Sequence, residues 1–203
     1  PMAEPGGMTT DVDSMVQMTQ FNYSGPGSWN DADMVQVCTY GEGATRHYPR
    51  AFPDGGGMTL NEYEAFYGIW AIFSSPLILS ADLSTVEQRH PDCLMLMANP
   101  EILAVNQDVF GSARLVRATT NVTGATYEQV NSTAITSQIF TKPLAGGKVA
   151  LLLFNRGERP TKLSASWADL GLKSSATMSV RDVIKKADSG QAVGTFSATV
   201  PSR

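Results

Sequence analysis

Two textures of hydrophobic patterning divide the chain. Up to about Asp108, apolar residues recur at helical spacing between short strand-like runs. Val12, Met15, Val16 and Thr19 lie three and four apart and predict a first helix, with Asp11 or Asp13 placed to cap it. The turn cluster Ser24-Gly25-Pro26-Gly27-Ser28 precedes a short strand candidate over Trp29–Val37, and residues 41–58 read as a loop rich in Gly and Pro. Thr59 stands three before Glu62 as a capping box, and Tyr63, Phe66, Tyr67, Trp70 and Phe73 follow on one helical face. Pro76 stops that helix, Leu77-Ile78-Leu79 reads as a short buried strand, and a further helix is predicted over Ser84–Leu96. Asn99-Pro100-Glu101 opens another, with Asn as cap and Pro in the first turn.

From about Gly111 the runs become strand-like: Ala113–Arg117, Ser137–Thr141, Lys148–Phe154, Thr161–Ala165, Met178–Asp182 and Thr195–Val200, separated by turn signals such as Gly146-Gly147. A barrel or open α/β part followed by a small antiparallel sandwich is the architecture this order suggests. The expected division is 1–110 and 111–203, with a last sandwich strand expected beyond Arg203. Both ends read as cut from something longer.

Composition narrows the function classes. The hydrophobic share is 42% and the net charge −4, which describes a folded globular chain rather than a disordered one. No basic excess is present to neutralise phosphates, so nucleic acid is excluded as an expected partner. No apolar stretch approaches the ~20 residues of a membrane helix, so no membrane insertion is expected. Cys38 and Cys93 are too few for a disulfide framework or a structural zinc site; they either pair once or stay buried as small apolar residues.

The densest polar cluster is Trp29-Asn30-Asp31-Ala32-Asp33-Met34. On a strand, Asp31 and Asp33 would point to the same side and line a pocket at its end, with Asp82 in the equivalent place after the next strand. The other reading makes these acids caps of turns and helices. His47 and His90 lack partners at ligand spacing and read as surface residues; no metal and no cofactor is expected. The chain has neither a Gly-x-Ser-x-Gly elbow nor a phosphate-binding loop. Sequons at Asn22, Asn121 and Asn131 make a secretory route the expectation.

Gly25-Pro26-Gly27-Ser28-Trp29-Asn30-Asp31-Ala32-Asp33-Met34 resembles the Gly-Pro-Gly-Gly-Trp-Asn-Asp-Pro-Asp-Met stretch of the family 27 glycoside hydrolases, the eukaryotic α-galactosidases. Ser75–Leu83 resembles that family's last barrel strand, and Asn99–Asp108 resembles its Asn-Lys-Glu-Val-Ile-Ala-Val-Asn-Gln-Asp signature. Val149–Gly157, Trp167–Gly171 and Val180–Asp182 match in the sandwich. The resemblance implies an α/β plus all-β chain: the last part of a (β/α)8 TIM barrel followed by a C-terminal antiparallel β-sandwich. It implies retaining hydrolysis of terminal α-linked galactose by two aspartates, with a galactoside as substrate partner. The alternatives are α-N-acetylgalactosaminidase activity of the same family, or a non-catalytic carbohydrate-binding module.

The family's nucleophile lies in a Lys-Tyr-Asp motif that this sequence does not contain. Thr9-Thr10-Asp11-Val12 looks like the tail of its Arg-x-x-x-Asp acid/base motif, although Gly7 stands where the Arg belongs. Asp11 is therefore either the acid/base or a helix cap. Asp33 and Met34 match sugar-lining positions, and Trp29 and Asp31 complete the expected substrate-binding set, Asp31 supporting the pocket from behind. A secreted, lysosomal or vacuolar location and a homodimer of the longer enzyme are further implications of the resemblance.

Overall fold

The computed structural model describes residues 7–19, 21, 23–40, 58–125 and 129–202. Its first helix, α1 (Met8–Thr19), buries Met8, Thr9, Val12, Met15 and Val16. The helix starts three residues before Asp11, so neither Asp11 nor Asp13 caps it. Asp11 lies in the first turn, where the backbone dipole favours an acid.

The helix α2 (Leu60–Ile72) opens with the expected capping box: Thr59 Oγ1 accepts from the Glu62 N–H, and the Thr59 N–H donates to Glu62 Oε2 at 2.8 Å. Tyr63, Phe66, Tyr67, Ile69 and Trp70 are all buried, and the helix packs against later helices and the following sheet. The single helix expected over Ser84–Leu96 is instead two, α3 (Leu83–Arg89) and α4 (Pro91–Met97). Pro91 has no N–H to continue the ladder and pushes His90 out of the helical region, to φ −143° and ψ 64°. The last helix, α5 (Pro100–Gln107), is capped by Asn99, whose side chain accepts from the N–H groups of Glu101 and Ile102.

The strands expected over Trp29–Val37 and Leu77–Leu79 shrink to one parallel bridge between Val35 and Leu79. The Val35 N–H donates to the Ile78 carbonyl at 2.9 Å and the Ser80 N–H to the Val35 carbonyl at 3.1 Å. Ile78 is 62% and Leu79 37% exposed, so this segment is not buried as expected. A buried parallel strand has neighbours on both edges and covered faces; this one has a single described neighbour.

Among the described residues all the remaining pairing is antiparallel. Strands β1 (Arg114–Thr120), β2 (Ile135–Leu144) and β3 (Lys148–Asn155) form one sheet in that order. Strand β4 (Thr161–Ser166) pairs with β7 (Thr195–Val200), and β5 (Thr177–Asp182) with β6 (Ala187–Val193). The β2–β3 turn uses Gly146 and Gly147 at φ 72° and 73°, a conformation that glycine adopts without a Cβ clash. Ile135, Ile139, Leu163, Ala165 and Trp167 are buried within the sandwich. A second cluster crosses between the halves, joining Tyr63, Phe66, Trp70 and Phe73 to Phe140 and Phe154. Phe73 meets Phe140 edge-on with ring centroids 5.3 Å apart. Cys38 and Cys93 are disulfide-bonded, with Cα atoms 5.9 Å apart, which decides between the two readings of that pair.

Candidate active site

The Trp29–Met34 segment is an irregular loop, so Asp31 and Asp33 do not converge by strand alternation. Their relation is a turn: Asp31 Oδ1 accepts from the Asp33 N–H at 2.9 Å, and Asp33 Oδ1 from the Met34 N–H at 2.7 Å. Asp33 adopts φ 75°, an unusual backbone conformation for a residue with a side chain. Three contacts hold it there. Besides Asp31, Trp70 Nε1 on α2 donates to the Asp33 carbonyl at 2.8 Å, and the Ala32 N–H donates to Ser75 Oγ at 2.8 Å. A strained residue fixed from several sides is a frequent feature of functional sites. Asp31, Asp33 and Met34 are all exposed, and the Asn30 side-chain Nδ2 is buried without a hydrogen-bond partner among the described residues.

Asp11, in the first turn of α1, lies within electrostatic reach of Asp33. Burial, and secondarily the like charge of Asp33, push its carboxyl up to about 6. A carboxyl that titrates near neutral pH can both give and take a proton under physiological conditions, which is what general acid/base catalysis requires. Asp82 is a helix cap, the second of the two readings: its Oδ1 accepts from the N–H and Oγ of Ser84 at the start of α3.

Behind the loop, Trp29 is half-buried, and Lys142 Nζ of β2 lies 5.9 Å from its ring centroid. Lys142 is fully buried; its ammonium donates to Ser74 Oγ and to the Val105 carbonyl, each at 2.6 Å. Burial lowers its pKa to about 8, with the Asp108 charge opposing. A cleft of about 440 Å³ also borders Trp29, between Pro26, Phe110 and Arg114; it includes neither Asp11 nor Asp33. His90 is half-buried and stacks on Tyr40, while His47 lies outside the described residues. Asn121 and Asn131 are exposed; Asn22 lies outside the described residues. Lys142, Trp70 and Ser75 are the site residues that sequence reasoning missed. Trp70 carries only a core signal in its spacing, and no local pattern links the other two to the loop.

Residues 8–108 match the family described as alpha galactosidase A, and residues 135–203 match the alpha galactosidase C-terminal beta sandwich domain. The chain belongs to the family 27 glycoside hydrolases. It is 33% identical over 180 residues to alpha-galactosidase 3 of Arabidopsis thaliana, covering 88% of this chain and 34% of that protein. It is 30% identical over 181 residues to an alpha-galactosidase of Cyamopsis tetragonoloba, covering 89% of this chain and 36% of that one. The crystal structure of alpha-galactosidase I from Mortierella vinacea superposes with a TM-score of 0.73 at 27% identity, over 97% of this chain and 42% of the other. The chain thus spans about a third of the length of the curated relatives it matches. In this family's terms its fold is the last part of a TIM barrel followed by the antiparallel sandwich. Among the described residues no helix is long and apolar enough to cross a membrane.

Proposed function

We propose that this chain is the C-terminal part of a retaining α-galactosidase, with residues 1–110 contributing to the barrel and 111–203 forming the sandwich. The observation that carries the reading is the exposed Asp33 loop, held at φ 75° from several sides, with Asp11 coupled to it through charge and its carboxyl pushed up to about 6 by burial. Asp11 acts as acid/base: protonated, it gives its proton to the glycosidic oxygen as that bond breaks, and ionised, it then takes a proton from the attacking water. Asp33 accepts hydrogen bonds from sugar hydroxyls, Met34 offers the apolar wall, and Trp29 and Asp31 hold the loop. The nucleophile comes from outside this chain, since retention requires a second carboxylate about 5 Å from the first and the Lys-Tyr-Asp motif is absent here. A secretory destination, either extracellular or lysosomal/vacuolar, is supported by the exposed sequons at Asn121 and Asn131 and by the disulfide.

The test is kinetic. The whole enzyme carrying this chain hydrolyses a nitrophenyl α-galactoside, and the 203-residue chain by itself does not. Asp33→Asn lowers kcat/KM by about tenfold to a hundredfold, the size of a lost hydrogen bond to a charged group. Asp169→Asn, in a sandwich turn where the carboxylate accepts from the Ser166 N–H, leaves kcat/KM within about threefold. Equal effects of the two changes would remove Asp33 from the pocket, and faster turnover of the α-N-acetylgalactosaminide would replace the substrate assignment.

A further inference from the structure

Asp13 stands two residues beyond Asp11 on α1. At about 100° per residue the two side chains leave the helix on nearly opposite sides. Asp11 lies on the side away from Asp13, within electrostatic reach of Asp33, and Asp13 reaches into the sandwich, against which α1 packs at β1 and at the turn Ser132–Ala134. Arg156 meets Asp13 there with a two-pronged grip, Nη1 to Oδ1 at 2.8 Å and Nη2 to Oδ2 at 3.2 Å. The pair is withdrawn from water, with side-chain exposures of 4% for Arg156 and 14% for Asp13.

The other contacts leave the guanidinium little freedom. Nη1 donates to Gln138 Oε1 at 3.0 Å; Nη2 donates to the Ser132 carbonyl at 2.7 Å and to Ser132 Oγ at 2.6 Å. Gln138, fully buried on β2, closes the ring by donating Nε2 to Asp13 Oδ1 at 3.0 Å. The Arg156 N–H is bonded to the Thr136 carbonyl at 2.9 Å, so the fork stands on the sheet itself.

An apolar contact would attach α1 to the sandwich equally well, because a buried ion pair contributes little net stability over well-packed hydrophobic residues. What a planar fork adds is direction: it fixes the rotation of the helix about its axis, which a slippery apolar contact does not. Rotation of α1 is what aims Asp11. We propose that Arg156 is a positioning residue, through which the sandwich sets the aim of Asp11 at the Asp33 loop. Its catalytic consequence rests on the functional reading above; its structural part does not.

Two measurements separate these. In the 203-residue chain with ¹³C-labelled aspartate, the Asp11 carboxyl is titrated by NMR in the native sequence, in Arg156→Gln and in Arg156→Lys. Removing a positive charge would by itself raise the Asp11 pKa. Losing the aim lets the carboxyl swing toward water and away from Asp33, which lowers it. The proposal expects a fall toward the ordinary carboxylate range in both variants. Arg156→Lys keeps the charge and loses the fork, so it remains informative if Arg156→Gln does not fold. An unchanged or raised value in Arg156→Lys overturns the proposal.

In the whole enzyme, kcat/KM is compared for a dinitrophenyl α-galactoside, whose leaving group departs unaided, and a galactosyl disaccharide, whose leaving group needs a proton. Arg156→Lys is expected to lose about a hundredfold on the disaccharide, the scale of general acid catalysis, and less than about threefold on the dinitrophenyl substrate. Equal losses on both substrates overturn the catalytic role. A native whole enzyme inactive on both sinks the galactosidase reading, while the titration still decides the positioning.

Discussion

Lys142 offers a test in which the sign and the slope are fixed in advance. Its ammonium is fully buried, and its pKa falls from 10.5 to about 8 because burial disfavours the charged form. Below pH 8 the lysine is charged in both folded and unfolded chains. Between about pH 8 and 10.5 the folded chain releases this proton and the unfolded chain keeps it, so stability rises with pH at about 1.4 kcal/mol per unit. Integrated from pH 7 to pH 10, the gain is about 2.5 kcal/mol. Other groups titrate in the same range, so the quantity to measure is the difference between the native chain and Lys142→Met. That variant removes the charge while Ser74 Oγ keeps its bond to the Asn106 carbonyl. Whatever the offset at pH 7, the stability of the native chain relative to Lys142→Met should climb by about 2.5 kcal/mol by pH 10 in urea unfolding of the oxidised protein. A flat difference across that range would mean that Lys142 is hydrated in solution, and that it does not bridge the sandwich to the Ser74 and Trp29 segments as the geometry has it.

The Cys38–Cys93 bond closes a separation of 55 residues, which on loop entropy alone stabilises the fold by about 4 kcal/mol; the double Cys→Ser chain should lose most of that in urea, and a loss under about 1 kcal/mol would refute the entropic account. Asp11 carries the opposite linkage to an ordinary carboxylate. With its folded pKa raised to about 6, the folded chain holds a proton between pH 3.8 and 6 that the unfolded chain has lost, so stability falls as pH rises through that window. Asp11→Asn should therefore melt higher than the native chain at pH 7, with the gap closing by pH 4. A variant no more stable than the native chain at pH 7 would show that Asp11 is not held against burial and Asp33.

What was legible in the sequence follows the range of the forces involved. The Thr59–Glu62 capping box and the Asn99 cap act within one helical turn, and both stand in the structure as the sequence implies. Periodicity alone runs a helix from Ser84 to Leu96, but Pro91 overrides it, a local signal outweighing a longer pattern. Strand β6, Ala187–Val193, escapes sequence reasoning because its first five residues, Ala187–Gln191, are all exposed and polar or small; what makes it a strand is its pairing with β5. The barrel strand at Leu77–Leu79 is legible as an apolar run, yet burial requires neighbours that the run itself does not specify.

The site loop shows the same division in a single residue. The two-residue spacing of Asp31 and Asp33 is significant, but for a reason other than strand alternation: it lets the first carboxylate accept from the backbone of the second. That turn alone does not hold a non-glycine residue at φ 75°, because the Cβ clash favours extended backbone. The remaining hold comes from Trp70 Nε1, 37 residues away, and from Ser75, 43 residues from the Ala32 it binds. Those two groups are placed by α2 and the turn that ends it. That turn is in turn fastened to the sandwich by Lys142 on Ser74, and to α5 by the Asn106 side chain on the Ser75 carbonyl. The conformation of Asp33 is thus set by a chain of contacts passing from β2 through Ser74 and Ser75 to the loop. A motif search finds the loop. Only the folded arrangement shows why the sandwich bears on its shape.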